Sequence, residues 1–176
     1  MNRGIARRHL FLSRKHKQLF LELLGIIVEK FQVEVHAFCL MGTHYHLLIY
    51  TKNNTISKAI QYLNSNFARA VNKDRKRDGF VFKGRFKSIL INNEKYRLNV
   101  CRYIHLNPVE AGLVKNGYDF EWSSCQDYLT PIPRFSWLSR YLWQENPSDF
   151  QIYLNKGIPK KILEIYAQNK LPNQLG

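Results

Sequence analysis

The stretch Met41-Gly42-Thr43-His44-Tyr45-His46-Leu47-Leu48-Ile49 decides the fold. From His44 on it reads as a buried strand, and Val33 to Met41 just upstream is equally β-rich. With only Gly42-Thr43 left for the turn, the two strands form an antiparallel hairpin. Side chains alternate across a strand, so His44 and His46 share one face while Tyr45 and Leu47 take the other. Two imidazoles side by side make a bidentate start to a metal site. They suit Zn, Mn, Fe, Ni or Cu, and Mg where oxygen ligands complete the shell. Taken alone, the pair is read equally well as two histidines facing solvent from a half-buried sheet.

The hairpin sits between two amphipathic segments. Upstream, Ser13 caps a helix over residues 14–30, with Leu19, Phe20, Leu23, Leu24, Ile27 and Phe31 at three- and four-residue steps. Arg14, Lys15 and Lys17 crowd its first turn against the helix dipole, an arrangement that makes sense beside an anion. Downstream, a second helix runs over residues 56–77 and stops at Gly79. Its basic end leads into Phe80-Val81-Phe82-Lys83-Gly84-Arg85-Phe86-Lys87. Cations interleaved with aromatics make a phosphate track with stacking platforms, so Lys73, Arg75, Lys76, Arg77, Lys83, Arg85 and Lys87 are the expected nucleic-acid contacts.

A third strand is expected over residues 86–91, then a helix over 94–106 that Pro108 terminates. Tyr103 and Asn107 lie one turn apart on that helix and share a face. A tyrosine, two strand histidines and a carboxamide form a coherent phosphoryl-transfer set. The phenol attacks phosphorus while a metal offsets the developing charge. Beyond residue 115 the chain is rich in loops, with short helical patterns at 137–144 and 148–155 and a last helix near 160–169. Residues 1–115 thus read as the catalytic domain and 116–176 as a loop-rich, helical extension.

The 176 residues carry 27 Lys+Arg against 13 Asp+Glu, a formal charge of +14 that points to a polyanionic partner. No apolar run of about 18 residues suggests a membrane span, and no signal-peptide pattern follows the basic start. Cys39, Cys101 and Cys125 are widely spaced and odd in number, as for reduced core thiols of a cytoplasmic protein.

Three blocks then carry a family resemblance: Cys39 to Leu48, Phe82 to Lys87, and Arg102-Tyr103-Ile104-His105-Leu106-Asn107-Pro108 on to Val114. In this order they resemble the HUH single-tyrosine transposases, and within them the REP-associated tyrosine transposases of bacteria. The resemblance implies an α+β, ferredoxin-like antiparallel sheet with helices on one face and a C-terminal helical appendage. It implies Tyr103 as nucleophile, His44, His46 and Asn107 as ligands of a divalent metal (Mg or Mn), and Arg85 as a phosphate contact. It also implies single-stranded DNA beside a hairpin as substrate, nicked and rejoined through a 5′-phosphotyrosine by a monomer or homodimer. His105 is expected to be structural. Relatives of this kind carry a further strand before Met1-Asn2-Arg3-Gly4, so the first strand is expected to be supplied from upstream, replaced by another segment, or missing in a decaying copy. The alternative is a catalytically inactive or domesticated nucleic-acid-binding relative. A replication initiator or relaxase is disfavoured by the small size and the Tyr103 to Asn107 spacing.

Overall fold

In a computed structural model, which describes residues 1–143 and 146–167, the hairpin forms where its residues predict. Strand β2 (Val33–Leu40) pairs antiparallel with β3 (His44–Thr51). A first strand is present, but β1 (Asn2–Arg3) is only two residues long and pairs with Tyr45 and His44. The sheet order is β1-β3-β2. Residues 81–87 lie along the other side of β1, where the Lys83 amide donates to the Arg3 carbonyl and the Lys87 amide to that of Met1, both at 2.9 Å. Apart from a single bridge between Gly4 and Phe82, this segment makes no ladder. The strand expected over residues 86–91 is therefore not formed. Past Lys87 no described strand lies beside it, and without a partner its backbone has no ladder to join.

Three helices cover the sheet. Helix α1 (Arg14–Phe31) and α2 (Ile56–Asp74) pack on one face, with Phe20 and Phe67 of the helices against Tyr45, Leu40 and Val35. Helix α3 (Glu94–Glu110) covers the other, where Val100, Cys101 and Ile104 meet Ala37, Cys39, Met41 and Leu48. The expectation of helices on one face thus holds for α1 and α2 but not α3. The reason is that both strand faces carry apolar side chains, and each must be buried.

The phase of β2 allows this. Val33 and Val35 face α1 and α2, but so do Phe38 and Leu40, because the register shifts between Val35 and Ala37. A bulge at His36 inserts one residue and moves the alternation by one place.

Helix α3 also runs through Pro108 to Glu110 instead of ending before it. Proline removes the amide that would bond the Ile104 carbonyl. In that same turn the Asn107 side chain donates to the Tyr103 carbonyl at 2.9 Å, adding a local tie that the backbone alone does not supply.

The later residues line the outer edge of β2. The Ser124 amide donates to the Phe38 carbonyl at 3.0 Å, the Leu40 amide to Trp122, and the Ser139 amide to Val35. Leu138 makes a parallel bridge to Val35, so residues 137–143 form turns and an edge contact where a helix was expected; residue 144 lies outside the described residues. Helix α4 (Pro147–Asn155) docks on α3 through Arg102, which donates to the Tyr153 carbonyl at 3.1 Å and lies over its ring. Helix α5 (Lys160–Ala167) follows, and the expected end near 169 lies outside the described residues. Among the described residues no helix is long and apolar enough to cross a membrane.

Candidate active site

Alternation on β3 puts His44 and His46 on the α3 side of the sheet, with ring centroids 4.9 Å apart. Tyr103 comes to the same place from α3, its ring 5.5 Å from that of His46 and nearly perpendicular to it. Asn107, one turn further along, is tied to the Tyr103 backbone through its side-chain amide. That bond engages Nδ2, and Oδ1 is the atom of the carboxamide whose chemistry suits a cation. Helix periodicity and strand alternation together therefore bring all four residues to one side of the sheet.

His46 is buried and its imidazole is held well below its ordinary pKa, mainly by desolvation and then by the neighbouring His44. His44 is lowered too, by burial first and then by Arg3, its register partner on β1. Both rings are therefore neutral near pH 7, the form that offers a lone pair to a metal. Burial pushes the Tyr103 phenol above its usual value, while a hydrogen bond with Asn107 acts in the opposite direction. Among the described residues no three His, Cys, Asp or Glu side chains cluster as a complete metal site. The donor set here is two imidazoles and a carboxamide, which fits a divalent ion that keeps open positions for substrate oxygens.

Two supports were not legible from the sequence. Thr43 Oγ1 lies 3.1 Å from His44 Nδ1, and the Thr43 carbonyl accepts from the Gly4 amide at 2.9 Å. When Nδ1–H donates to that hydroxyl, the lone pair sits on Nε2. Ser124 Oγ lies 2.8 Å from His105 Nε2 and also accepts from the Phe38 amide, so it couples α3 to β2. His105 is fully buried and its pKa is pushed down to about 3, so it is structural, as expected. Neither partner announces itself: Thr43 reads as a turn residue and Ser124 is remote in sequence.

The other tyrosines in reach are placed differently. Tyr45 is buried on the opposite face, donating to Asn64 Oδ1 at 2.8 Å. Tyr96 is half-buried, packed against the α3-side core.

The expected nucleic-acid contacts divide. Lys73, Lys76, Lys83, Arg85 and Lys87 are exposed. Arg75 turns inward instead, its guanidinium donating to the carbonyls of His9 and Leu10 at 3.3 and 3.4 Å. Arg77 is half-buried against Asn72. The anions beside the basic first turn of α1 are the protein's own: Arg14 pairs with Glu121 and Lys15 with Asp74. Next to His46, a cavity of about 510 Å³ opens between the β3 segment Leu47 to Thr51 and residues 86–92.

Comparison with known families shows where a chain with this fold and this arrangement of tyrosine and histidines belongs. The profile described as "Transposase IS200 like" matches residues 3–107, more than half of the chain, and the protein belongs to that family. A Haemophilus influenzae protein assigned to the REP-associated tyrosine transposases is 31% identical over 107 residues, covering 54% of this chain and 61% of that protein. The chain thus spans less than two thirds of that relative's length. A solved structure of a REP-associated tyrosine transposase bound to a REP hairpin superposes with a TM-score of 0.59 at 20% identity. It covers 79% of this chain and 87% of that one, and bears out the mixed α/β fold.

Proposed function

We propose that the protein is a DNA transposase that nicks and rejoins single-stranded DNA beside a hairpin, through a covalent link to Tyr103. The observation that carries this reading is the Tyr103 ring set against His46, 5.5 Å between centroids, on the face that His44 shares. In the step proposed, the Tyr103 phenolic oxygen attacks phosphorus, the bond from phosphorus to the 3′-oxygen breaks, and that oxygen takes up a proton. The phenol gives up its own proton as it attacks. Because burial raises the phenol's pKa, its deprotonation needs help from a base or a nearby positive charge. His44, His46 and Asn107 would hold a Mg or Mn ion, which supplies Lewis-acid stabilisation of the phosphate. The covalent tyrosyl phosphate conserves the energy of the broken bond for rejoining. The solved REP-associated tyrosine transposase, whose structure holds a REP hairpin, supports hairpin DNA as the partner.

The test is a hairpin oligonucleotide with single-stranded flanks, incubated with the protein and Mg or Mn. A covalent protein–DNA adduct is expected from the unaltered protein. Tyr103→Phe should keep fold and DNA binding yet give no adduct. His46→Ala should lose most cleavage, with partial recovery at high Mn. DNA binding without any adduct under all these conditions would instead favour a catalytically idle binding protein.

A further inference from the structure

We propose that Phe80 is a stacking platform for one unpaired base of the bound nucleic acid; this rests on the nucleic-acid reading above and names a contact within it. The segment from Arg75 to Lys87 holds six cations and one acid, Asp78, with three phenylalanines. The three rings have different fates. Phe82 and Phe86 are half-buried against the α1–α2 core, whereas Phe80 is 82% exposed. Among the described residues no Phe, Tyr or Trp is more exposed, and Tyr141 follows at 59%.

An exposed ring at a loop tip is ordinary when the loop is loose. Here both neighbours of Phe80 are anchored. On one side the Gly79 carbonyl accepts from Asn72 Nδ2 at 2.8 Å, and Gly79 itself sits at φ +103, a conformation that other residues rarely adopt. On the other side Val81 is 4% exposed in the core, and its carbonyl accepts from the Ile5 amide at 3.0 Å. The ring is therefore displayed from a fixed backbone, and little ordering is lost when a flat partner settles on it. Lys76 and Lys83 are both exposed on the flanking residues, supplying the charge that a phosphate backbone needs. The segment continues along β1, whose Arg3 pairs with His44, so the platform and the histidine pair flank the same short strand. A planar apolar face between cations fits a nucleobase of single-stranded DNA, since every base offers a π-face. A duplex, with its bases already stacked, gains nothing from it.

The experiment measures affinity of the full chain for a labelled hairpin with a single-stranded flank, and for the same hairpin trimmed blunt. Phe80→Ala and Phe80→Leu should weaken binding to the flanked hairpin roughly 5- to 150-fold, the range for one base stacked on an aromatic ring. Neither should change the slope of log K against log salt, because no charge is removed. Phe80→Trp should retain affinity, and its indole emission should be quenched by the flanked hairpin but not by the blunt one. Phe80 variants that bind as tightly as the unaltered protein, while Lys83→Ala weakens binding and flattens the salt slope, overturn the platform alone. An equal loss on flanked and blunt hairpins also overturns it, since an unpaired base is then not what the ring meets. Failure of the unaltered protein to bind either probe overturns the nucleic-acid reading itself. Thermal melting of each variant identifies loss of fold, and the Phe80→Trp result then decides.

Discussion

At the scale of single residues, the site is built from rings whose chemistry depends on what holds them. His44 has a hydroxyl partner at Nδ1, and a ligand histidine fixed in this way presents one nitrogen in one orientation. Thr43→Val should therefore weaken Mn affinity by about tenfold or more, and Thr43→Ser should restore it. A Mn titration in which Thr43→Val matches the unaltered protein would remove the role. Burial also has a consequence for pH. His105 stays neutral to about pH 3, and His46 is depressed well below 6.5. As pH falls through about 6.5 the unfolded chain binds protons that these two native rings refuse, so stability falls with acidity. Each contributes a slope of about 1.4 kcal/mol per pH unit below that point, continuing for His105 down to its folded value. Denaturant melts at pH 7.5 and 5.0 should show the loss, and identical midpoints would contradict it.

At the scale of elements, the reading from sequence succeeds where one period dominates. The 3.6-residue spacing of Phe20, Leu24 and Ile27 and the two-residue spacing of Tyr45, Leu47 and Ile49 each serve a single core, and helix α1 and strand β3 form where those periods place them. It falters where a distant partner decides. The bulge at His36 has no local signature, because its neighbours on both sides are equally β-prone. Residues 86–91 have the composition of a strand but only the short β1 to pair with, and residues 137–143 give up a helix to seal the edge of β2 at Val35. The basic end of α2 divides on the same principle. Arg75 is drawn inward by the carbonyls of His9 and Leu10, a partnership that composition cannot reveal. Arg75→Ala should thus cost about 1–2 kcal/mol of stability, the order for hydrogen bonds to a charged group. Lys83→Ala should leave the melting temperature unchanged and weaken DNA binding. The opposite pattern would return Arg75 to the DNA surface.

At the scale of the whole molecule, the +14 charge is a surface property, and part of it lies along residues 73–87, where seven Lys and Arg stand against Asp74 and Asp78. If about four phosphates are neutralised, log K should fall against log salt with a slope near −3, at roughly −0.7 per contact for single strands. Affinity indifferent to salt would contradict the track. The two histidines, the tyrosine and the carboxamide were legible together because each lies on a regular element with a known period. Their supports, Thr43 and Ser124, were not, since hydrogen bonds to a turn and to a remote loop leave no pattern in the chain. The central claim is that one tyrosine of the ten, Tyr103, attacks the DNA. Its most direct measurement traps the adduct on a labelled hairpin, digests the protein, and reads by mass spectrometry which peptide carries the nucleotide. The account predicts the phosphate on Tyr103 alone. Label on Tyr96 or Tyr45, or an undiminished adduct from Tyr103→Phe, would contradict it.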